Sequence, residues 1–328
     1  MSRPLSELSV KEIRDLVAGA PPEPGDSLWG ELCRDRRKAG RELVRTLKRR
    51  NERETVSRAR ELEMRCYESE LWDKGLELVA GEDEVGRGPL AGPVVAAAVV
   101  LPRELPFRGI DDSKKLLPER REELHDLIRG HAVAIGIGSV SHTVIDEINI
   151  LRATHRAICE AVSDLGRSLG RPPGHALLDG EQIPDLEVPQ TAIHRGDELS
   201  TAIAAASIVA KVTRDRLLVE YDRVYPGYGF TNHKGYGTPE HLAALTKLGP
   251  CEVHRRSFTP VFQNGGRSDE YEAFKRMFLE AESIEQLDAA AAGVSEVAES
   301  LERYEVARLR DLYKRSYKRI KSGFRNRR

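Results

Sequence analysis

Residues 76–101 constrain the fold more tightly than any other stretch. LELVAGEDE at 76–84 reads as a strand, and PVVAAAVVL at 93–101 is a continuous apolar run of the length a buried strand takes. A strand apolar on both sides needs cover on both faces of its sheet. The chain supplies it: HAVAIGIGSV (131–140), HALLDG (175–180) and VPQTAIH (188–194) are further strands. They alternate with helical patterns that begin at Pro118 and that cover 142–166, roughly 198–224 (Ala-rich in its first half) and 239–248. This alternation predicts an α/β protein whose sheet is covered by helices.

Upstream, residues 1–18 read as an amphipathic helix with Ser9 and Glu12 in capping-box spacing, and APPEPGDS at 20–27 as a linker. Residues 28–50 and 53–74 read as two helices rich in Arg and Glu, one with an apolar face of Leu43, Val44 and Leu47, the other with Leu62, Met64, Leu71 and Trp72. Beyond 265 the tail reads as helices that fray over KSGFRNRR. The expected organisation is a helical extension at 1–76, an α/β domain at 77–262 and a helical, basic-ended extension at 263–328.

With 40% hydrophobic and 32% charged residues, the 328-residue chain is not collagen-like, mostly disordered or a disulfide scaffold. The net charge of −1 conceals segments of opposite sign. Residues 34–60 hold 12 basic and 4 acidic side chains, 265–300 hold 3 and 9, and 301–328 hold 11 and 3. Such segments suit a polyanionic partner, although solvated helix faces produce the same pattern more often. Cys33, Cys66, Cys159 and Cys251 form no C-x-x-C pair and read as reduced thiols of a cytoplasmic protein. No signal-peptide core or membrane-spanning run is visible, so no membrane association is expected.

The densest chemical signal is Gly81-Glu82-Asp83-Glu84-Val85-Gly86-Arg87-Gly88, where a strand runs into carboxylates and then a Gly-Arg-Gly turn. Carboxylates are hard oxygen ligands suited to Mg²⁺ or Mn²⁺, and bare glycines let backbone N–H groups approach a phosphate or sugar. Asp179 ends a second strand, and Asp197 follows a third. Any one of these acids alone reads as a turn or cap residue, and Asp197 could simply cap the helix that follows. Three acids delivered by strand ends to one sheet edge are how open α/β folds build sites. Adjacent residues 83 and 84 face opposite sides of a regular strand, so both serve one site only if the strand ends or bulges there. The glycine-rich loop at 225–238 adds Tyr225, Tyr228, Phe230, His233, Lys234 and Tyr236, a composition suited to stacking on nucleotides.

Seven strings in order complete a family pattern: DEVGRGPLAGPVVAAAV (83–99), DDSKKL (111–116), IDEINIL (145–151), LLDG (177–180), AAASIVAKVTRD (204–215), YGFTNHKGYGT (228–238) and HRRSF (254–258). Over about 78–262 the chain resembles the type 2 ribonuclease H family, specifically bacterial ribonuclease HII. The resemblance implies a ribonuclease H-like mixed sheet flanked by helices. It implies an endonuclease that cleaves RNA in RNA–DNA hybrids and cuts duplex DNA on the 5′ side of a single embedded ribonucleotide, leaving 3′-hydroxyl and 5′-phosphate ends. The family's metal-binding carboxylates fall on Asp83, Glu84, Asp179 and Asp197, its 2′-hydroxyl-sensing turn on Gly86, Arg87 and Gly88, and its stacking tyrosine on Tyr236. Two divalent ions about 4 Å apart suit that chemistry, and four carboxylates offset most of their charge. Only the 2′-hydroxyl tells RNA from DNA, and a glycine turn can reach it.

Lys114, Lys115 and Lys234 are candidates for phosphate contact; Ser207 is expected to pack, and His254, Arg255 and Arg256 to close the fold. Glu82 departs from the pattern by standing where the family usually has an aliphatic residue. It is expected to pair with a base from an extension or to lie on a partly open strand, since a buried lone carboxylate is costly. A monomer is expected. The alternative is a catalytically inactive relative that holds RNA–DNA hybrid, against which the full set of acids argues.

Overall fold

The structure, a computed structural model, describes residues 8–19, 26–34 and 37–325. The chain divides into two compact units, Met1–Cys66 and Tyr67–Arg328. The first holds α1 (Val10–Gly19), α2 (Ser27–Arg34) and α3 (Lys38–Glu63). Ile13, Val17, Leu32 and Leu47 form its core, with Leu43 and Val44 against them. The capping box is made as read: Ser9 N donates to Glu12 Oε2 at 2.7 Å, and Glu12 N donates to Ser9 Oγ at 3.2 Å. The break expected near 51–52 is absent. Neither Gly nor Pro stands there, and α3 continues through it, with Thr55 Oγ1 donating to Asn51 O at 2.8 Å. Of the expected linker, residues 20–25 lie outside the described residues, and Ser27 already begins α2. Leu62 is 73% exposed and does not share a buried face with Met64.

The second unit begins with α4 (Cys66–Asp73). Its buried Glu68 accepts from Ser200 Oγ at 2.7 Å and Ala202 N at 2.8 Å, so α4 packs within this unit. Five strands follow: β1 (Val79–Val85), β2 (Val94–Val100), β3 (Ala134–Val140), β4 (His175–Asp179) and β5 (Gln190–Ile193), in the order β3-β2-β1-β4-β5. β1 pairs antiparallel with β2, as β2 does with β3; β1–β4 and β4–β5 are parallel. This is the mixed sheet the sequence predicts.

Helix α7 (Ile150–Leu169) covers one face, packing Ala153, Ala157, Ala161 and Leu165 on Ala80, Ala96 and Ala98. The other face is covered by α5 (Pro118–His131) and α8 (Thr201–Val224), which pack Leu124, Ile128, Ala205 and Val209 on Ala97 and Val99. Small residues let α8 approach β1 closely: a Cβ on Gly81 would lie 2.1 Å from the Ala202 carbonyl carbon.

The single helix read at 142–166 is two, α6 (His142–Ile148) and α7, because Asn149 takes φ 72° and caps α7 by accepting from Leu151 N and Arg152 N. The loop at 225–238 is not wholly irregular, since α9 (Phe230–His233) makes one turn within it. After α10 (Pro239–Leu248) and α11 (Thr259–Gln263), the tail folds as α12 (Asp269–Glu280), α13 (Ile284–Glu296) and α14 (Arg303–Arg325) around Phe278, Leu287, Leu309 and Ile320. α14 stays helical past Lys321, where fraying was expected, and residues 326–328 lie outside the described residues. Among the described residues no helix is long and apolar enough to cross a membrane.

Candidate active site

Register builds the site. The parallel β1–β4 pairing sets Glu82 opposite Leu178, so the next residues along, Asp83 and Asp179, leave that ladder side by side. Asp197 arrives in a 3₁₀ turn after β5, and Gly196 N donates to Asp179 Oδ1 at 2.6 Å. One carboxylate oxygen from each of Asp83, Asp179 and Asp197 lies within 4.8 Å of the others. Asp197 does not cap α8; Ser200 does, its Oγ accepting from Ile203 N at 3.2 Å.

The strand neither ends nor bulges at 83–84, because β1 stays paired with β2 through Val85. Glu84 accordingly lies outside the three-acid group, its Oε1 accepting from Arg87 Nη1 at 3.2 Å. Its charge still reaches the others. Burial, the Glu84 carboxylate and the Asp179 carboxylate push Asp83 well above the usual carboxylate range, against hydrogen bonding from Ser207. Burial and the Asp197 charge raise Asp179, against the Gly196 N–H. Burial raises Glu84, opposed by Arg87 and assisted by Asp179.

Lys114 Nζ lies 3.1 Å from Asp197 Oδ2; burial disfavours its charge, but the carboxylates of Asp197, Asp83 and Asp112 together outweigh burial and raise it. Lys115 Nζ lies 3.2 Å from Glu198 Oε1. Lys234 is elsewhere: its Nζ donates to Thr231 O, and it lines a cavity of about 360 Å³ with Arg121, Asp215 and Arg216 that none of the four acids borders.

Two buried arginines carry the Gly-Arg-Gly turn. Arg255 donates to Gly86 O at 2.6 Å, Arg87 O at 3.0 Å and Gly92 O at 2.9 Å. Arg214 donates to Pro93 O, Ala91 O and Lys234 O, each at 3.0 Å. Burial lowers Arg214 to about 10, and burial with the neighbouring Arg214 charge lowers Arg255 to about 9, so both stay charged at neutral pH. Gly86 has φ 97°, and a Cβ there would lie 2.3 Å from Arg214 Nε. Tyr236 is 41% exposed, and its Cε1 lies 3.7 Å from where a Cβ on Gly88 would stand. The wider aromatic surface read from the loop is not there: Phe230 and Tyr228 are buried with Leu218, Leu245 and Val261.

Arg255 closes the fold as expected. The part played by Arg214 was not visible, since one arginine in a helical pattern carries no sign of burial. Ser207 does more than pack: its Oγ lies 2.8 Å from Ser113 Oγ, and its hydroxyl draws the Asp83 carboxyl downward. Glu82 faces away from the acid group, 1% exposed, with both carboxylate oxygens lacking a hydrogen-bond partner. Burial holds it well above the usual glutamate range. Among the described residues it has no basic partner, and its strand is paired on both sides.

Among the described residues, the four acids have only Lys114 and Arg87 ion-paired to them, which leaves more carboxylates than bases at the site. That excess, offered by oxygen donors alone, fits hard divalent cations.

The family model for Ribonuclease HII matches residues 80–261, which include all four acids, the turn and Tyr236. The chain belongs to the ribonuclease HII family. A second model, for the Ribonuclease HII N-terminal domain, matches residues 9–72. Ribonuclease HII of Geobacillus thermodenitrificans is 49% identical over 257 residues, covering 78% of this chain and 97% of that one. Ribonuclease HII of Geobacter sulfurreducens is 54% identical over 202 residues, covering 62% and 91%. The ribonuclease H2 of Pyrococcus horikoshii aligns in structure at 26% identity with a TM-score of 0.47, covering 57% of this chain and 96% of that one. This ribonuclease is thus a metal-dependent endonuclease, a hydrolase with ribonuclease H activity on RNA–DNA.

Proposed function

We propose that the protein cuts the RNA strand of RNA–DNA hybrids and also cuts duplex DNA on the 5′ side of a single embedded ribonucleotide, leaving 3′-hydroxyl and 5′-phosphate ends. The observation that carries this reading is the convergence of Asp83, Asp179 and Asp197 on one sheet edge, one residue from Glu84 and three from the turn at Gly86. Asp83, Glu84, Asp179 and Asp197 would hold two divalent ions, Mg²⁺ or Mn²⁺. Bound there, such ions supply Lewis acidity, lowering the pKa of the attacking water and offsetting charge on the departing 3′-oxygen.

The chain's own groups do the rest. Arg255 takes the carbonyls of Gly86 and Arg87, which fixes both peptide planes before substrate arrives. The bare Gly86–Gly88 backbone can then meet a 2′-hydroxyl, and Tyr236 beside Gly88 offers a ring for stacking at the junction. Lys114, Lys115 and Lys234 would meet phosphates. We read the chain as a monomer with its catalytic part at 77–262 and helical segments at 1–76 and 263–328. Four free cysteines suit a reducing cytoplasm.

The test is cleavage of a duplex carrying one ribonucleotide, with and without Mg²⁺ or Mn²⁺, with products mapped to the nucleotide. One metal-dependent cut on the 5′ side of the ribonucleotide is expected. Tight binding without any cut under either metal would identify a binding module and overturn the reading.

A further inference from the structure

Residues 262–328 lie outside both family matches, and the Geobacillus relative is covered to 97% by 257 residues of this chain. The tail therefore calls for its own account. Its helices differ sharply in charge: residues 265–300 hold 9 acids and 3 bases, and 301–328 hold 3 acids and 11 bases. Oppositely charged helices in contact would ordinarily satisfy each other. Here, among the described residues, no ion pair joins α14 to α12 or α13. They meet through apolar side chains, with Leu309 and Ile320 of α14 buried against Phe278 and Leu287, and through two polar groups that leave the α12 and α13 acids unpaired with bases of α14. Arg319 donates to Leu279 O at 2.7 Å and Ala281 O at 2.9 Å, and the Tyr313 hydroxyl donates to Asp288 Oδ1 at 2.5 Å.

Five bases of α14 are directed outward and aligned. Arg303, Arg310, Lys314, Lys318 and Lys321 are all exposed, and their spacings of seven, four, four and three keep them on one side of the helix. At 1.5 Å per residue the ridge is about 27 Å long, the length of roughly eight base pairs. Arg303, Arg310 and Lys318 make no ion pair among the described residues; Lys314 has one exposed partner, Asp311, at 3.5 Å, and Lys321 lies over the Tyr317 ring. Among the described side chains of α14, Leu309 and Ile320 are already buried in the tail's own core and are not offered to a lipid surface.

The same helix is tied to the active-site turn. Arg308 Nη2 donates to Ser257 O at 3.1 Å and to Thr259 Oγ1 at 3.3 Å. Two residues before Ser257 stands Arg255, which holds Gly86 and Arg87.

We infer that the α14 ridge is a second duplex-binding surface, which grips the sugar–phosphate backbone of the substrate away from the scissile bond. It adds affinity without discriminating sugar or sequence. The inference takes the identity of the duplex from the proposed function, but its own readout is binding to plain DNA.

In the full-length protein, Arg303→Gln, Arg310→Gln, Lys314→Gln and Lys318→Gln are combined. Binding to an uncleavable all-DNA duplex of about 24 base pairs is followed by fluorescence anisotropy across salt concentrations. The expected result is a Kd raised about tenfold at low salt and a slope of log K against log salt reduced by about three, near the 0.9 expected per phosphate contact. With ribonucleotide substrate, KM rises and kcat at saturation stays. A charge-keeping variant, Arg303→Lys with Arg310→Lys, retains wild-type affinity, which separates loss of charge from loss of fold. An unchanged Kd and slope in the Gln variant overturns the inference. So does an unchanged DNA affinity accompanied by lost binding to phosphatidylserine vesicles. Absence of any cleavage by the wild-type protein would count against the proposed function while leaving the binding readout intact.

Discussion

Strand β1 buries two neighbouring carboxylates, Glu82 at 1% and Asp83 at 6% exposure, and its two faces treat them differently. On the α8 face, Asp83 meets Ser207, the Glu84 N–H and the converging charges of Asp179 and Asp197. On the α7 face, Glu82 sits between Ala98 and Leu178 in the ladder, near the Cys159 thiol, which its charge helps burial to raise. Burial penalises ionisation in both cases. Only on the α8 face can a bound cation relieve it, because only there do other oxygens point at the same volume. A buried acid is therefore not itself a sign of a site; convergence of several is.

The contrast is broken most severely at Asp83. Asp83→Asn removes a converging oxygen and should lower cleavage at least about a hundredfold while hybrid binding persists, as measured by single-turnover cleavage and anisotropy. Activity retained at about a tenth of wild type would remove Asp83 from the reaction. Next is Gly81→Ala on the same face, whose Cβ meets the α8 backbone. It should destabilise by about 3 kcal/mol, read as a lower urea midpoint at unchanged m.

The opposite face predicts the opposite sign. Glu82→Met replaces an unpartnered carboxyl with an unbranched apolar chain and should stabilise by about 2 kcal/mol. Because the folded protein holds Glu82 above its ordinary 4.5, the wild type loses stability as pH rises past that value, and the gain from Glu82→Met should widen from about pH 5 to about pH 8 in thermal melts. An equal gain at both pH values would mean that Glu82 ionises as readily in the folded protein as in the unfolded chain. The smallest effect is Ser207→Ala, costing about 1 kcal/mol. Ser207 draws Asp83 downward, so its loss should move the acid limb of the cleavage profile to higher pH.

The sheet was legible because its signals are short-range: continuous apolar runs for β2 and β4, each close to a glycine turn. The three converging aspartates were legible for the same reason, each standing at or just beyond a strand end. What escaped depends on distant partners. Asn149 interrupts a helical pattern whose apolar spacing carries on across it, and only its left-handed φ of 72° reveals the break. Tyr228 and Phe230 look like a stacking surface until Leu245, Val253 and Val261 close over them. Whether Asp197 or Ser200 caps α8 turned on a 3₁₀ turn that no residue pattern marks. The isolation of Glu82 required knowing that helices cover both faces of β1.

The close approach of Arg214 to Gly86 changes what the Gly-Arg-Gly string can diagnose. A bare α-carbon at position 86 is demanded by a guanidinium packed beneath the turn, whatever lies above it. A protein that had lost all catalysis but kept that arginine would still need the first glycine. Scaffold and chemistry are thus written in the same letters there, and that glycine by itself does not tell a working nuclease from a dead one.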